Sequence, residues 1–228
     1  MTLQHRRIVL DDGESVSAVV AYPEGFKTGR ATAVILAHGA GSDMHAPFMS
    51  AIHAGLAARG SVTVKFNFPY KERGNRVPDR APVLEACYRR VLEAVCQDPD
   101  IAPPRVVIGG KSLGGRMASH LAAQGAEVAG VLLHGYPLHP AGKPEQLRVA
   151  HLDKIRVPML FFAGTRDALC TLDRLRQTIT RLPASVDLHI IEGGDHSFKV
   201  PKSMHREPAA VWDEIITTSA DWLARLAA

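Results

Sequence analysis

The chain has 228 residues, of which 46% are hydrophobic and 22% charged, with a formal net charge of +4 and three cysteines. Length and composition suit one α/β domain spanning residues 1–228, with an ordinary globular core. They also exclude much: no run reaches the roughly 18 apolar residues of a membrane span, the amino terminus lacks the apolar stretch of a secretory signal, and three irregularly spaced cysteines make no disulfide framework. A soluble, cytoplasmic protein without a membrane partner is expected.

Two segments, residues 5–10 and 15–22, flank Asp11-Asp12-Gly13-Glu14, and Asp-Gly in that position predicts an antiparallel edge hairpin. Residues 33–37 form an apolar run suited to a strand buried on both faces. The loop His38-Gly39-Ala40-Gly41-Ser42-Asp43 and a helix over residues 47–59 follow. Residues 62–68 alternate like a strand, residues 69–78 form a loop, and the next helix ends near Gln97, where Asp98-Pro99 stops it. Further strands are predicted at 106–108, 128–133, 157–163 and 186–191. Helices are expected after residue 112, at 171–181 and at 207–226, and a long loop at 134–156. Strands alternating with helices after an opening hairpin predict the α/β class, a mostly parallel twisted sheet with helices on both faces.

Charge distribution argues against nucleic acid. Lys71, Arg73, Arg76 and Arg80 are interleaved with Glu72 and Asp79, and no aromatic platform for base stacking lies among them. Cys87 and Cys96 share a predicted helix and, at about 100° per residue, fall on opposite faces. Cys170 is expected to be a buried small apolar group.

The motif that carries chemistry is Gly110-Lys111-Ser112-Leu113-Gly114, directly after an apolar run and directly before a helical stretch. That is the setting of a G-x-S-x-G nucleophile elbow, a strand-to-helix turn sharp enough to strain the serine, with glycines allowing close approach on either side. Gly110-Lys111-Ser112 also ends a phosphate-loop pattern, but the glycine that pattern needs at position 105 is Arg105, and too little chain separates strand from lysine to wrap a phosphate.

A serine hydroxyl needs a base, and the base needs a carboxylate to orient it. Chain order should be Ser, then Asp or Glu, then His. His196, in Glu192-Gly193-Gly194-Asp195-His196-Ser197, follows a predicted strand and so opens on the same sheet edge as the elbow. His189 lies inside a strand and His205 beside the last helix. Asp167 follows the strand at 157–163 in Gly164-Thr165-Arg166-Asp167; Asp195 competes, but sequence neighbours rarely face each other well enough to bond. The oxyanion donors expected are the amides of Leu113 and Ala40, with Gly41 in reserve.

With these residues in hand, the sequence resembles the α/β-hydrolase superfamily in its small dienelactone-hydrolase-like branch. The resemblance rests on His38-Gly39-Ala40-Gly41, Phe66-Asn67-Phe68, Gly110-Lys111-Ser112-Leu113-Gly114, Gly164-Thr165-Arg166-Asp167 and Gly194-Asp195-His196-Ser197. It implies a serine hydrolase acting on a small-molecule carboxylic ester or thioester, with no cofactor and no metal. The departure is Ser112 where dienelactone hydrolases carry cysteine, which argues against dienelactone itself. Tyr136-Pro137-Leu138-His139-Pro140, with Leu147-Arg148 and His151-Leu152, also looks like a sub-branch that includes a subunit of a nuclear histone-acetylating complex. That likeness carries the alternative, a non-catalytic scaffold retaining the fold. The loops at 69–78 and 134–156 are expected to form much of the acyl pocket.

Overall fold

The opening hairpin pairs β1 (Thr2–Val9) with β2 (Ser15–Tyr22), turning at Gly13, whose φ of 85° belongs to the left-handed region. This is a computed structural model, and it describes residues 1–227. Strand β1 begins three residues before the sequence expectation, because Thr2 already pairs with Tyr22. The missed residues lie on an exposed edge, where pairing is held by the ladder and by Arg6 bonding Gln4 and Tyr22, so no apolar alternation marks them.

The remaining chain alternates strictly enough to name in order: β3 (Ala33–Ala37), α1 (Pro47–Ala58), β4 (Val62–Phe66), α2 (Pro69–Glu72), α3 (Ala81–Cys96), β5 (Val106–Lys111), α4 (Leu113–Ala123), β6 (Gly130–His134), β7 (Met159–Gly164), α5 (Leu172–Ile179), β8 (Val186–Ile191) and α6 (Pro208–Ala227). The expected loop at 69–78 opens with α2, a single turn that Pro69 starts at its first position. The loop after β6 carries a 3₁₀ turn at Leu152–Lys154.

Strand order across the sheet is β1-β2-β4-β3-β5-β6-β7-β8. β1, β2 and β4 pair antiparallel, and β4 through β8 run parallel. The period of two along each strand divides the core: on β3, Ala33, Ile35 and Ala37 pack with α3, α4 and α5, while Val34 and Leu36 pack with α1 and α6. Chain direction reverses at β3, since β4 is added on one side of it and β5 on the other. Loops leaving β3 and β5 therefore set out in different directions from the carboxyl edge, the switch point at which open α/β sheets place their ligands. Cys87 and Cys170 are buried and Cys96 is exposed. Among the described residues, no helix is long and apolar enough to cross a membrane.

One buried hydroxyl ties a helix into the sheet. Tyr88 of α3 accepts the Gly109 amide at 2.9 Å, and its proton faces the carbonyls of Ile35 and Gly109, each at 2.8 Å. Tyr88→Phe removes the hydroxyl's bonds to the Ile35 and Gly109 backbone and is expected to cost about 0.5–1.5 kcal/mol of stability, measured by urea unfolding. A loss within experimental error would show that the hydroxyl is dispensable.

Candidate active site

Ser112 is the single residue between β5 and α4, with φ of 50° and ψ of −110°, a conformation that costs a non-glycine residue about 1–3 kcal/mol. The reason it can exist is on either side. A Cβ at Gly110 or at Gly114 would overlap the carbonyl oxygen of Ala37, so only glycine lets the turn lie against β3. Gly110 also has φ of 153°. The strained residue is pinned by its own amide, which donates to the His134 carbonyl at 3.0 Å, while the Arg116 amide donates to the Ser112 carbonyl at 3.0 Å.

The structure brings Ser112, His196 and Asp167 into one hydrogen-bonded line. His196 Nε2 lies 2.8 Å from Ser112 Oγ, and His196 Nδ1 lies 2.8 and 3.0 Å from the two carboxylate oxygens of Asp167. A carboxylate only accepts, so Nδ1 carries the proton and Nε2 is free to accept the Ser112 hydroxyl. The Asp167 side chain is fully buried, and its Oδ1 also accepts the Leu169 amide at 2.8 Å. Such an imidazole can take the proton of the hydroxyl and be stabilised as imidazolium by the carboxylate behind it.

Asp195, the competitor for the acid, is occupied elsewhere. Its Oδ1 accepts the amides of Ser197 and Lys199 at 2.7 and 2.9 Å, which folds the histidine loop back on itself. Two loops are then zipped together: Arg166 N–H donates to the Gly194 carbonyl at 2.9 Å, Gly193 N–H to Thr165 Oγ1 at 2.8 Å, and a Cβ at Gly164 would overlap the Gly194 carbonyl. His189 bonds Glu214 of α6 at 2.7 Å, away from this line.

The loop after β3 lies against the elbow, with Gly39 so placed that an added Cβ would come within 3.6 Å of Ser112 Cβ. Three bonds from the β4–α2 segment hold it. The Phe68 amide donates to His38 Nε2 at 3.1 Å, the Tyr70 hydroxyl to the Ala40 carbonyl at 3.0 Å, and the Met44 amide to Asn67 Oδ1 at 2.9 Å. With Nε2 accepting, His38 Nδ1–H donates to the Gly39 carbonyl at 2.8 Å. Burial lowers His38 to about 4, so it stays the neutral, one-donor, one-acceptor strut that both bonds require. Ala40 is exposed at the tip of this loop, and Leu113 opens α4, whose first amides have no partner within the helix.

Lys111 is the residue that sequence reasoning missed, having been weighed only as part of a phosphate loop. Its ammonium donates to the His196 carbonyl at 2.6 Å and sits 5.2 Å from the centre of the Phe198 ring. It thus clamps the backbone of the histidine loop to the end of β5. The available signal was a lysine closing an otherwise apolar strand. Burial lowers Lys111 to about 8, opposed by the nearby Asp167 and Asp195. The same ammonium, after burial itself, helps hold His134 down near 3. Among the described residues, no group of three or more His, Cys, Asp or Glu is placed to hold a metal ion.

A family described as an alpha/beta hydrolase domain matches residues 30–224. Among solved structures, the chain is similar to a dienelactone hydrolase from Anabaena variabilis, at 21% identity and a TM-score of 0.76, covering 98% of this chain and 97% of that one. It is similar to an alpha-beta serine hydrolase homologue from Coxiella burnetii, at 17% identity and a TM-score of 0.73, covering 100% and 99%. It is also similar to Est1E from Butyrivibrio proteoclasticus, described with ferulic acid bound, at 14% identity and a TM-score of 0.76, covering 96% and 99%. At these identities the likeness is one of fold.

The lowered Lys111 value has a consequence for stability. Between about 8 and its ordinary value of 10.5 the lysine is neutral in the folded chain and charged in the unfolded one, so the unfolded chain binds more protons and stability rises with pH. Lys111→Met removes that dependence. The stability of the wild type relative to the variant should rise across this window by up to about 1.4 kcal/mol per pH unit, measured by urea unfolding at a series of pH values; a difference independent of pH would count against a buried ammonium.

Proposed function

Since the chain belongs to the alpha/beta hydrolase domain family, we propose that it is a serine hydrolase that cleaves a small-molecule carboxylic ester or thioester through an acyl-enzyme on Ser112. The observation that carries this reading is the hydrogen-bonded line from Ser112 Oγ through His196 to Asp167. Ser112 Oγ attacks the carbonyl carbon while His196 Nε2 takes its proton. The imidazolium, stabilised by Asp167, returns that proton to the leaving alcohol or thiol. Water then repeats the sequence on the acyl-enzyme with His196 again as base, releasing the acid and free Ser112.

The tetrahedral oxyanion is assigned to the amides of Leu113 and Ala40. Leu113 is the first residue of α4, where the helix dipole favours negative charge. Ala40 sits in a loop whose carbonyls are already engaged by Tyr70 and His38, so its amide needs no rearrangement to serve. The pocket for the acyl group is assigned to the loops at 69–78 and 134–156. Arg73 of the first loop is paired with Glu14 and Asp79, which argues against a role in selecting anionic substrates. The chemistry calls for no cofactor and no metal. A scaffold has no use for a strained serine bonded to a histidine that is bonded in turn to a buried carboxylate, and this favours the enzyme.

A fluorophosphonate probe should label the wild type on Ser112, and Ser112→Ala should abolish both labelling and turnover of any ester in a panel graded by acyl length. His196→Ala should suppress labelling, and Asp167→Asn should lower kcat by about 10⁴-fold while leaving the fold intact. Undiminished labelling of His196→Ala would sink the mechanism.

A further inference from the structure

A cavity of about 320 Å³ opens where α4 meets the loop after β6, away from the Ser112–His196 pair. Its polar lining is basic throughout: Arg116 and His120 from α4, and Arg148, His151 and Lys154 from the loop. Among the described residues, the side chains of Arg116, Arg148 and Lys154 make no ion pair. The carboxylate within this network, Glu85 of α3, is already held by His120 Nδ1 and by Gln124 Nε2, each at 2.7 Å. Two buried nitrogens on the lining residues, Arg116 Nε and His120 Nε2, have no partner. With His120 Nδ1–H given to Glu85, Nε2 is a bare acceptor, so Arg116 Nε is the buried donor without an acceptor, and such groups are rare because each costs about 1–3 kcal/mol.

Backbone bonds fix the chain segments from which these side chains project. Arg148 donates its amide to the Leu138 carbonyl at 2.8 Å, and its carbonyl accepts the Tyr136 hydroxyl at 2.7 Å. Ser119 Oγ–H donates to the Arg116 carbonyl at 2.7 Å, so His151 Nε2–H must be the donor in its 2.8 Å bond to Ser119 Oγ. These bonds bring several basic groups together with Glu85 as the carboxylate among them. The result shows on His151, which burial first and then His120, Arg116 and Lys154 hold near 4, against the pull of Glu85.

We propose that this cavity binds a phosphate-type oxyanion, a phosphomonoester or diphosphate group, held by Arg116, Arg148 and Lys154. Three cations without an ion-pair partner among the described residues exceed what one carboxylate would neutralise, and a phosphate near neutral pH carries about 1.5 to 2 negative charges with three acceptor oxygens. Guanidinium groups match that geometry with paired N–H donors. The lining contains no Phe, Tyr or Trp on which a base could stack, so the recognised group is the phosphate and not a nucleic-acid strand. The proposal stands whether or not Ser112 is a nucleophile. Its ligand could arrive as a free phosphorylated small molecule or as a phosphate on the substrate's own leaving group.

Titration calorimetry of the full chain with inorganic pyrophosphate tests it. One site is expected for the wild type, weakened at least tenfold by Arg148→Ala with Lys154→Ala and several-fold by Arg116→Gln alone. A control double variant, Lys199→Ala with Lys202→Ala, changes basic residues lining a different cavity and should bind as the wild type does. Absence of binding to the wild type, binding undiminished in the first double variant, or an equal loss in the control would overturn the proposal. Kinetics separate the sources. If pyrophosphate raises KM for an acyl thioester bearing a phosphate but not for a neutral ester, the site serves the substrate; if it alters kcat for the neutral ester, the site serves a free effector. Calorimetry needs no turnover, so failure of the hydrolase reading and failure of this one remain distinguishable.

Discussion

Everything at the catalytic edge depends on backbone touching backbone at the Ala37 carbonyl. Gly110 and Gly114 both lie where any Cβ would collide with that oxygen, so two residues on either side of Ser112 press the strand-to-helix turn against β3. Contact at that distance leaves Ser112 no relaxed conformation, and its φ of 50° is the outcome. The strain is sustained because the elements around it are over-determined. β5 is paired on both sides along its length, α4 packs Met117, Ala118 and Leu121 into the core, and the Ser112 amide is tied to the neighbouring strand. One constraint therefore brings three consequences: a half-buried hydroxyl presented to His196 at the sheet edge, a helix-opening amide at Leu113, and the Gly39 loop set directly beside the serine.

The electrostatics of the edge follow from burial more than from any one charge. His38, His53 and His134 are all held well below their ordinary range, to about 4, 4 and 3, with burial the largest cause in each. A histidine that cannot charge is a rigid polar strut, and His38 is used in that way to fix the loop carrying Ala40. Lys111 does the opposite work. It brings a buried ammonium to the His196 carbonyl, between an acidic pair, Asp167 and Asp195, that offsets part of its desolvation. The imidazole is thereby fixed from both ends: its ring by Ser112 and Asp167, its backbone by the last residue of β5. Positioning of this kind is what makes a hydrogen bond of 2.8 Å persist in a loop rather than fluctuate away.

Much of this was legible in the sequence because it is local. Apolar runs and the hairpin signal named all eight strands to within about three residues, and chain order at strand ends picked out Ser112, Asp167 and His196. Asp195 illustrates why order alone did not close the question. Its neighbour in sequence is the histidine, and only the fold shows its carboxylate turned to the amides of Ser197 and Lys199. What was illegible is held by partners distant in the chain. The first residues of β1 are exposed and owe their strand to pairing with β2. The turn of α2 hid inside a loop, although it supplies Tyr70 to Ala40 from 30 residues away. Lys111 and His196 are 85 residues apart, and no spacing rule joins them.

Helix α4 links the two functional faces, and its spacing explains how. Ser112 precedes the helix, and Arg116 and His120 follow at intervals of four, so the three fall along one stripe. The sequence displayed that interval, but its meaning required the loop at 147–154 to return and add Arg148, His151 and Lys154 to the same stripe. Arg116 bridges the faces, its side chain lining the basic cavity and its amide bonded to the Ser112 carbonyl. A packed helix transmits little motion, since its i to i−4 bonds resist local change. Communication between cavity and serine must then be electrostatic. Arg116, which makes no ion pair among the described residues, lies one turn along α4 from the amide assigned to the oxyanion, and its field adds to the helix dipole in favouring negative charge at Ser112. An anion bound there as proposed would cancel that contribution and so couple occupancy to the stability of the proposed oxyanion through charge, without any rearrangement of the fold.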